Sequence, residues 1–341
     1  MTTTTDVVHR PTLVHSMGGL YVPLTDDMTT DLDTLVHELG MDYTVWTEPL
    51  YHSLGPDAGV IPLPNHQVIL RDHRDGHISG IAPAGVQYTP LQNREILDMG
   101  QAIVHESGGT ARWGGGLVGK GGAVCMAFLR VGDGILIGRM SDLITAWLIL
   151  IWRHDARGTA MVTVNPERPE CGNQMPVFVG GQHGQPSFKI YHRTGATTKV
   201  QEAREALDVT MRYLDTWTAE AERLAEHTIS PRQAREFFNR VFPAPEDKEA
   251  VRAVKLHEDR MEAVTRIYDS KTCADIKGTA WGVFNAIGEY VDHEMPTKAG
   301  AWAADGITPK DARVLNTLTG GAAQAGNQIR QRAYAMAQRL G

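Results

Sequence analysis

The spacing of hydrophobic positions changes once along the chain, near residue 198. Before that point apolar residues alternate with polar ones, or form short runs bounded by Gly, Asp and Asn, as strands and hairpins do. Tyr43-Thr44-Val45-Trp46 alternates. His66–Arg71 and Ile78–Val86 flank the turn His73-Arg74-Asp75-Gly76, and Asp-Gly is a strong hairpin signal. Residues 111–130 predict two extended arms around a glycine-rich tip. Ala146–Val164 contains two apolar runs joined by Arg153-His154-Asp155-Ala156-Arg157-Gly158, and Pro186–Thr194 alternates again.

Two helices interrupt this part. The first has Thr30 as its expected cap, Leu32, Leu35, Val36 and Leu39 on one face, and Gly40 as its stop. The second, Gln92–Glu106, turns Ile96, Met99, Gly100 and Ile103 inward and ends at Gly108-Gly109. Leu54–Pro64 and Pro166–Pro186 read as Gly/Pro-rich connections.

After residue 198 the period is helical. Val200, Ala203, Leu207, Thr210, Leu214, Trp217, Ala221 and Leu224 share one heptad seam, predicting a helix of about 27 residues that packs on its own domain. Ser230-Pro231-Arg232-Gln233 opens the next helix with a capping box and a proline at the first helical position. Asp247–Tyr268 and Thr279–His293 follow. A last helix opens at Thr308-Pro309, is broken by Gly320-Gly321, and ends in Arg330, Arg332 and Arg339. The expected class is α+β: an antiparallel sheet with hairpins and packed helices, then an α-helical C-terminal half. The expected division is a lead-in over 1–28, an α+β core over 29–228 and a helical region over 229–341.

Composition narrows the class. With 42% hydrophobic and 21% charged residues among 341, the chain reads as globular. No apolar run approaches the ~20 residues of a membrane helix, and no signal peptide is visible. Three separated cysteines exclude a disulfide framework and fit a reducing cytoplasm. The 14 histidines stand at no metal-ligand spacing, and no metal or cofactor is expected.

Charge separates the middle from the rest. Residues 110–200 carry ten Lys/Arg against five Asp/Glu, about +5, whereas residues 1–59 carry one against nine, about −8. A basic sheet inside a chain of net charge −7 points to an anionic partner held by a local groove or by many copies side by side. The alternative is that these cations only decorate solvent-facing strand positions.

Gly114–Gly121 is one residue from a nucleotide-binding P-loop. The Ser or Thr that would hold Mg²⁺ is replaced by Gly121, and the loop joins two strands rather than opening a helix. A hairpin tip with one cation, lying along a phosphate backbone, is the better reading. His154-Asp155 has no nucleophile motif beside it, so a turn explains it without catalysis. Aromatic residues interleave with the basic ones at Trp113, Trp152 and Tyr191, the combination that holds single strands by stacking and charge. Trp152 fits the core better; Trp113 and Tyr191 stay open between core and stacking.

Several segments resemble a family of unknown function, number nine hundred and thirty-two, carried by phages and plasmids. They are Asp42-Tyr-Thr-Val-Trp-Thr-Glu-Pro-Leu-Tyr51, Tyr88-Thr-Pro-Leu-Gln-Asn-Arg-Glu95, His154-Asp155, Cys171-Gly-Asn173, Tyr191-His-Arg-Thr-Gly195, Glu202–Leu207, Phe237–Pro243 and Thr279–His293. They span roughly residues 40–295; the turn Arg153–Gly158 and the loop Pro176–Pro186 depart from the family pattern. The family is distantly similar to phage single-strand annealing proteins of the RecT, Redβ and Sak type. That resemblance implies ATP-independent binding and annealing of single-stranded DNA by a homo-oligomeric ring or filament, in which sheets and helices of many subunits build one basic groove. It implies no covalent chemistry, a place in the bacterial host cytoplasm, and a phage exonuclease or host single-strand-binding protein as candidate partners. The expected DNA contacts are Arg112, Lys120, Arg130, Arg153, Arg157, Lys189, Tyr191, His192, Arg193 and Lys199. The alternatives are a non-catalytic phage regulator that binds a host protein or duplex DNA, and a nucleotide-binding enzyme using the glycine-rich loop.

Overall fold

The computed structural model describes residues 17, 19–29, 31–55, 59–138, 142–158, 160–175, 187–189, 196–320 and 324–340, with the side chains of 187–189 and 196–200 excepted. The chain runs β1 (Tyr21–Pro23), α1 (Leu32–Glu38), β2 (Val45–Ser53), β3 (Val60–Asp72), β4 (Ile78–Gly85) and α2 (Asn93–Glu106). Then come β5 (Ala111–Gly119), β6 (Val124–Ile137), β7 (Asp142–Arg153), β8 (Met161–Arg168), β9 (Asn173–Gln174) and β10 (Ser187–Lys189). Helices α3 (Ala196–Glu226), α4 (Pro231–Val241), α5 (Val251–Tyr268), α6 (Ala280–Glu289), α7 (Ala312–Thr319) and α8 (Ala325–Ala337) complete it. This is the expected α+β class.

The main sheet is antiparallel, in the order β1-β5-β6-β7-β8-β10, with β9 paired to β8. A separate sheet has the order β2-β3-β4. Strands β6 and β7 read as unbroken apolar runs because the main sheet is buried on both faces. On one face Cys125, Ala127 and Leu129 join Ala146, Leu148, Leu150 and Trp152 in a core shared with Leu97 of α2, Trp217 of α3 and Trp281 of α6. On the other, Met126 and Phe128 join Trp147, Ile149 and Ile151 beneath Met17, Tyr21, Trp302, Leu315 and Leu318. Each large apolar side chain so buried contributes about 1.5–3 kcal/mol. The core on the first face runs from Leu35 to Ala337, so sheet and C-terminal helices share it.

Two glycines make these layers possible. A Cβ on Gly100 of α2 would lie 2.4 Å from the Trp113 ring, and one on Gly119 would lie 2.4 Å from the Trp302 ring. Both helix–sheet contacts therefore need a residue without a side chain.

Most elements fall where their patterns place them. The capping box at Ser230 and Gln233 forms, and the heptad seam from Ala203 to Leu224 packs inward, with Trp217 edge-on to Trp281 at 5.8 Å; the Val200 side chain lies outside the described residues. Other elements differ. The cap of α1 is Asp31, whose carboxylate accepts from the Thr34 amide at 2.9 Å; Thr30 lies outside the described residues. The second half of the expected loop Leu54–Pro64 is strand, since β3 begins at Val60. Pro62 and Pro64 are tolerated because this part of β3 pairs only with β2, leaving an edge where a missing N–H costs nothing. The glycine break near residue 320 separates α7 from α8. The 3-10 helix Gly300–Asp305 carried no periodicity to announce it.

Candidate functional site

Strand alternation puts Arg112, Arg130 and Arg153 on one face of the main sheet, that of Phe128 and Trp147. Arg112 and Arg130 are Cα partners on β5 and β6, directly opposite one another. Two like charges so placed repel. Among the described residues neither forms a salt bridge. Arg130 donates from Nη2 to the Asp133 carbonyl at 2.9 Å, while its buried Nε has no partner. Both line a cleft of about 290 Å³, together with Pro23, Leu24, Trp147 and Pro169 and the acidic residues Asp26 and Asp133. Paired guanidiniums over an apolar wall form a receptor for an anion.

A second group sits at the far end of the same strands. Lys120 heads the turn Lys120–Gly122 between β5 and β6, and its Nζ lies 4.4 Å from the centre of the Trp302 ring. Burial lowers the Lys120 pKa, and the neighbouring Arg153 and Arg157 lower it further, against Asp155 and Asp305. Arg153 grips Asp155 through Nε at 3.0 Å and Nη2 at 2.5 Å, and the Arg157 amide donates to the same carboxylate at 3.1 Å. Burial alone would raise the Asp155 pKa; these donors outweigh it and lower it. The Arg157 side chain is exposed. The turn is closed from below by Asp305, which accepts from the Lys120 amide at 2.5 Å and the Gly121 amide at 3.2 Å.

The two groups lie about 20 Å apart, six residues of β6 at ~3.3 Å each. Between them the face is covered by Tyr21, Trp302, Leu315 and Leu318. The chain therefore carries two separate basic clusters on this face, whereas the groove expected from the resemblance was one built by many subunits together; a strand pattern shows which residues share a face but not what later in the chain covers it.

Lys189 pairs in register with Met161, and Lys199 lies in the first turn of α3; their side chains are outside the described residues. So are Tyr191, His192 and Arg193 entirely. Trp113 is not a stacking platform: it sits half-buried on the opposite face, its Nε1 donating to Gln101 Oε1 at 2.9 Å. Trp152 is core, donating to Asn93 Oδ1 at 2.9 Å. His154 is fully buried and shares that oxygen at 2.8 Å, so it has no part in a relay. Sequence reasoning missed Asp305 and Trp302, which support the glycine turn from nearly two hundred residues away; no local signal marks either.

Among the described residues no cluster of His, Cys, Asp or Glu is placed to hold a metal ion, and no helix is long and apolar enough to cross a membrane.

An antiparallel sheet buried on both faces and sharing a core with a helical half defines an α+β protein, here with two clusters of cations at opposite ends of one sheet face. The chain belongs to the family described as Domain of unknown function (DUF932), whose model matches residues 83–314, from the end of β4 to α7. No curated protein and no solved structure matches it.

Proposed function

We propose that this protein binds single-stranded DNA and anneals complementary strands without ATP, acting as a homo-oligomer in the cytoplasm of a phage-carrying bacterium. The observation that carries the reading is the Arg112–Arg130 pair: two arginines that are Cα partners on adjacent strands and that form no salt bridge among the described residues. The repulsion between them is relieved by a bound anion, and a phosphodiester is the anion a basic cluster suits. Lys120, Arg153 and Arg157 form the second contact. Lys189, Tyr191, His192, Arg193 and Lys199 extend the proposed surface along the chain. Each cluster offers only two or three cations, so useful affinity comes from repetition over many subunits, in keeping with a net charge of −7.

The glycine turn supports the ATP-independent form of the reading. Its amides at Lys120 and Gly121 already donate to Asp305, leaving them committed rather than free to cradle a nucleotide phosphate. The alternative, a non-catalytic phage regulator, draws on the uncovered apolar side chains of β2 and β3. It expects a host-protein ligand and no strand pairing.

The test is fluorescence anisotropy with a labelled oligothymidylate across a salt series, for the wild type and for Arg112→Ala/Arg130→Ala. Loss of two phosphate contacts should flatten the slope of log K against log salt by about 1.4 and weaken binding at low salt at least tenfold. A dye-quench assay with two complementary oligonucleotides, run without ATP, reads annealing. A wild type that binds no single strands, or a double mutant with an unchanged slope, would overturn the proposal.

A further inference from the structure

The described residues include eleven exposed large apolar side chains, and seven of them lie on or beside the three-stranded sheet: Tyr51, Leu54, Val60, Ile61, Leu63, Ile78 and Val86. Scattered singly, such residues need no explanation; gathered on one element, they do. The concentration is greatest in the distal part of the β2–β3 hairpin, beyond the register shift at Pro49. There Tyr51 opposes Pro62 and Ser53 opposes Val60 on one face, while His52 opposes Ile61 on the other. The ribbon is thus apolar on both faces and covered on neither. A two-stranded ribbon is marginally stable alone in water. Pro62 and Pro64 remove N–H donors from its strand, which blunts the edge against strand addition. What it offers a partner is side chains, so the fitting receptor is an apolar groove.

The same molecule carries one. The start of α5 and the segment after residues 290–294 line an open groove of about 750 Å³ whose apolar residues are Val251, Leu256, Met295 and Pro296. Val251 is 77% exposed, the highest value among the large apolar residues. The charges match. Residues 45–67 contain two acidic residues, Glu48 at the base of the ribbon and Asp57, which lies outside the described residues, and no Lys or Arg. The groove wall contributes Arg252, Lys255 and Arg260 against Asp259, a net +2. A ribbon ~20 Å long and ~10 Å wide covers roughly 200 Å² per face, or roughly 400 Å² on both, about half the per-partner share of a standard interface and the size of a weak contact that gains from repetition.

We infer that the β2–β3 ribbon of one copy docks in the α5 groove of the next. The two surfaces are different, so the contact is heterologous and propagates into a ring or filament rather than closing as a dimer. This rests on the self-association in the proposed function and assigns its interface.

The test reads mass by light scattering on the full chain without DNA. Two variants are needed: a ribbon variant, Tyr51→Ser/Ile61→Ser/Leu63→Ser, and a groove variant, Val251→Asp/Leu256→Asp. The wild type should run as multiples of 37.4 kDa and each variant as a monomer. Mixed, the variants should form a 1:1 pair and stop, because one keeps only a working groove and the other only a working ribbon. A monomeric wild type, a ribbon variant of wild-type mass, or a mixture that stays monomeric would each overturn the inference. Should either variant misfold by circular dichroism, Ile61→Cys mixed with Val251→Cys replaces it. An oxidised dimer supports the contact, and its absence counts against it. A wild type that binds single strands as a monomer sinks the interface and spares the DNA reading. An oligomer that ignores DNA does the reverse.

Discussion

The carboxylate of Asp305 accepts a hydrogen bond from the backbone amide of Lys120 at 2.5 Å, across 185 residues of sequence. The contact fixes a turn in which Lys120, Gly121 and Gly122 all have positive φ, at 53°, 64° and 91°. That conformation costs a lysine about 1–2 kcal/mol, so something outside the hairpin must hold it.

Asp305→Ala should therefore do two things. It leaves two amides without their charged acceptor, and stability should fall by about 1–3 kcal/mol in urea unfolding. It also removes a negative charge beside Lys120, so, on the proposed function, affinity for single-stranded DNA should rise at low salt. Anisotropy on the folded variant checks the second effect independently of the first. A variant of unchanged stability would mean that the turn holds itself.

Arg330 predicts the opposite separation. It stands in the C-terminal basic run, yet it is fully buried and paired with Asp292, which also accepts from the Gln174 amide at 2.8 Å. Arg330→Ala strands a buried carboxylate and should cost about 3–5 kcal/mol. Arg332 and Arg339, both exposed, should cost under about 0.5 kcal/mol when replaced. Denaturant midpoints for the three variants decide the matter.

His154 makes stability depend on pH. Burial first, and the Arg71 guanidinium second, push its pKa down to about 4 from 6.5, against Asp155. Between these values the unfolded chain binds a proton that the folded chain refuses. The stabilisation is fully present above about pH 6.5 and is lost as pH falls toward 4, to an upper bound of about 3 kcal/mol. Urea midpoints at pH 7 and pH 5 should drop further for the wild type than for His154→Gln, which has no proton to take up. Equal drops would assign the acid sensitivity to other groups.

Much of the fold was legible because its rules are local. Asp75-Gly76, the capping box at Ser230, and the runs Val124–Leu129 and Ile144–Trp152 each specify their own geometry through residues a few positions apart. The candidate site was legible only in part. Alternation placed Arg112, Arg130 and Arg153 on one face, but nothing near them announced that Trp302 and Leu318 would close the middle of that face. Trp113 is a different case: beside Arg112 in sequence, it faces the other way, as the alternation of successive strand residues requires. Prolines misled where β3 leaves the body, since an edge strand has no use for the N–H they lack.

The packing of α2 on the sheet gives the most local test. A methyl on Gly100 would sit 2.4 Å from Cη2 and 2.9 Å from Cζ2 of Trp113, whose indole is anchored on Gln101. The ring cannot retreat without giving up that hydrogen bond, so Gly100→Ala should cost about 1–3 kcal/mol although alanine favours helices by up to about 1 kcal/mol over glycine. Trp113→Phe removes the clashing atoms and on its own leaves a cavity. Combined, the two changes should fill and relieve one another, giving a coupling of at least about 1 kcal/mol in a double-mutant cycle. Additive costs would show that helix and ring move apart freely, and that Gly100 is not what sets their distance.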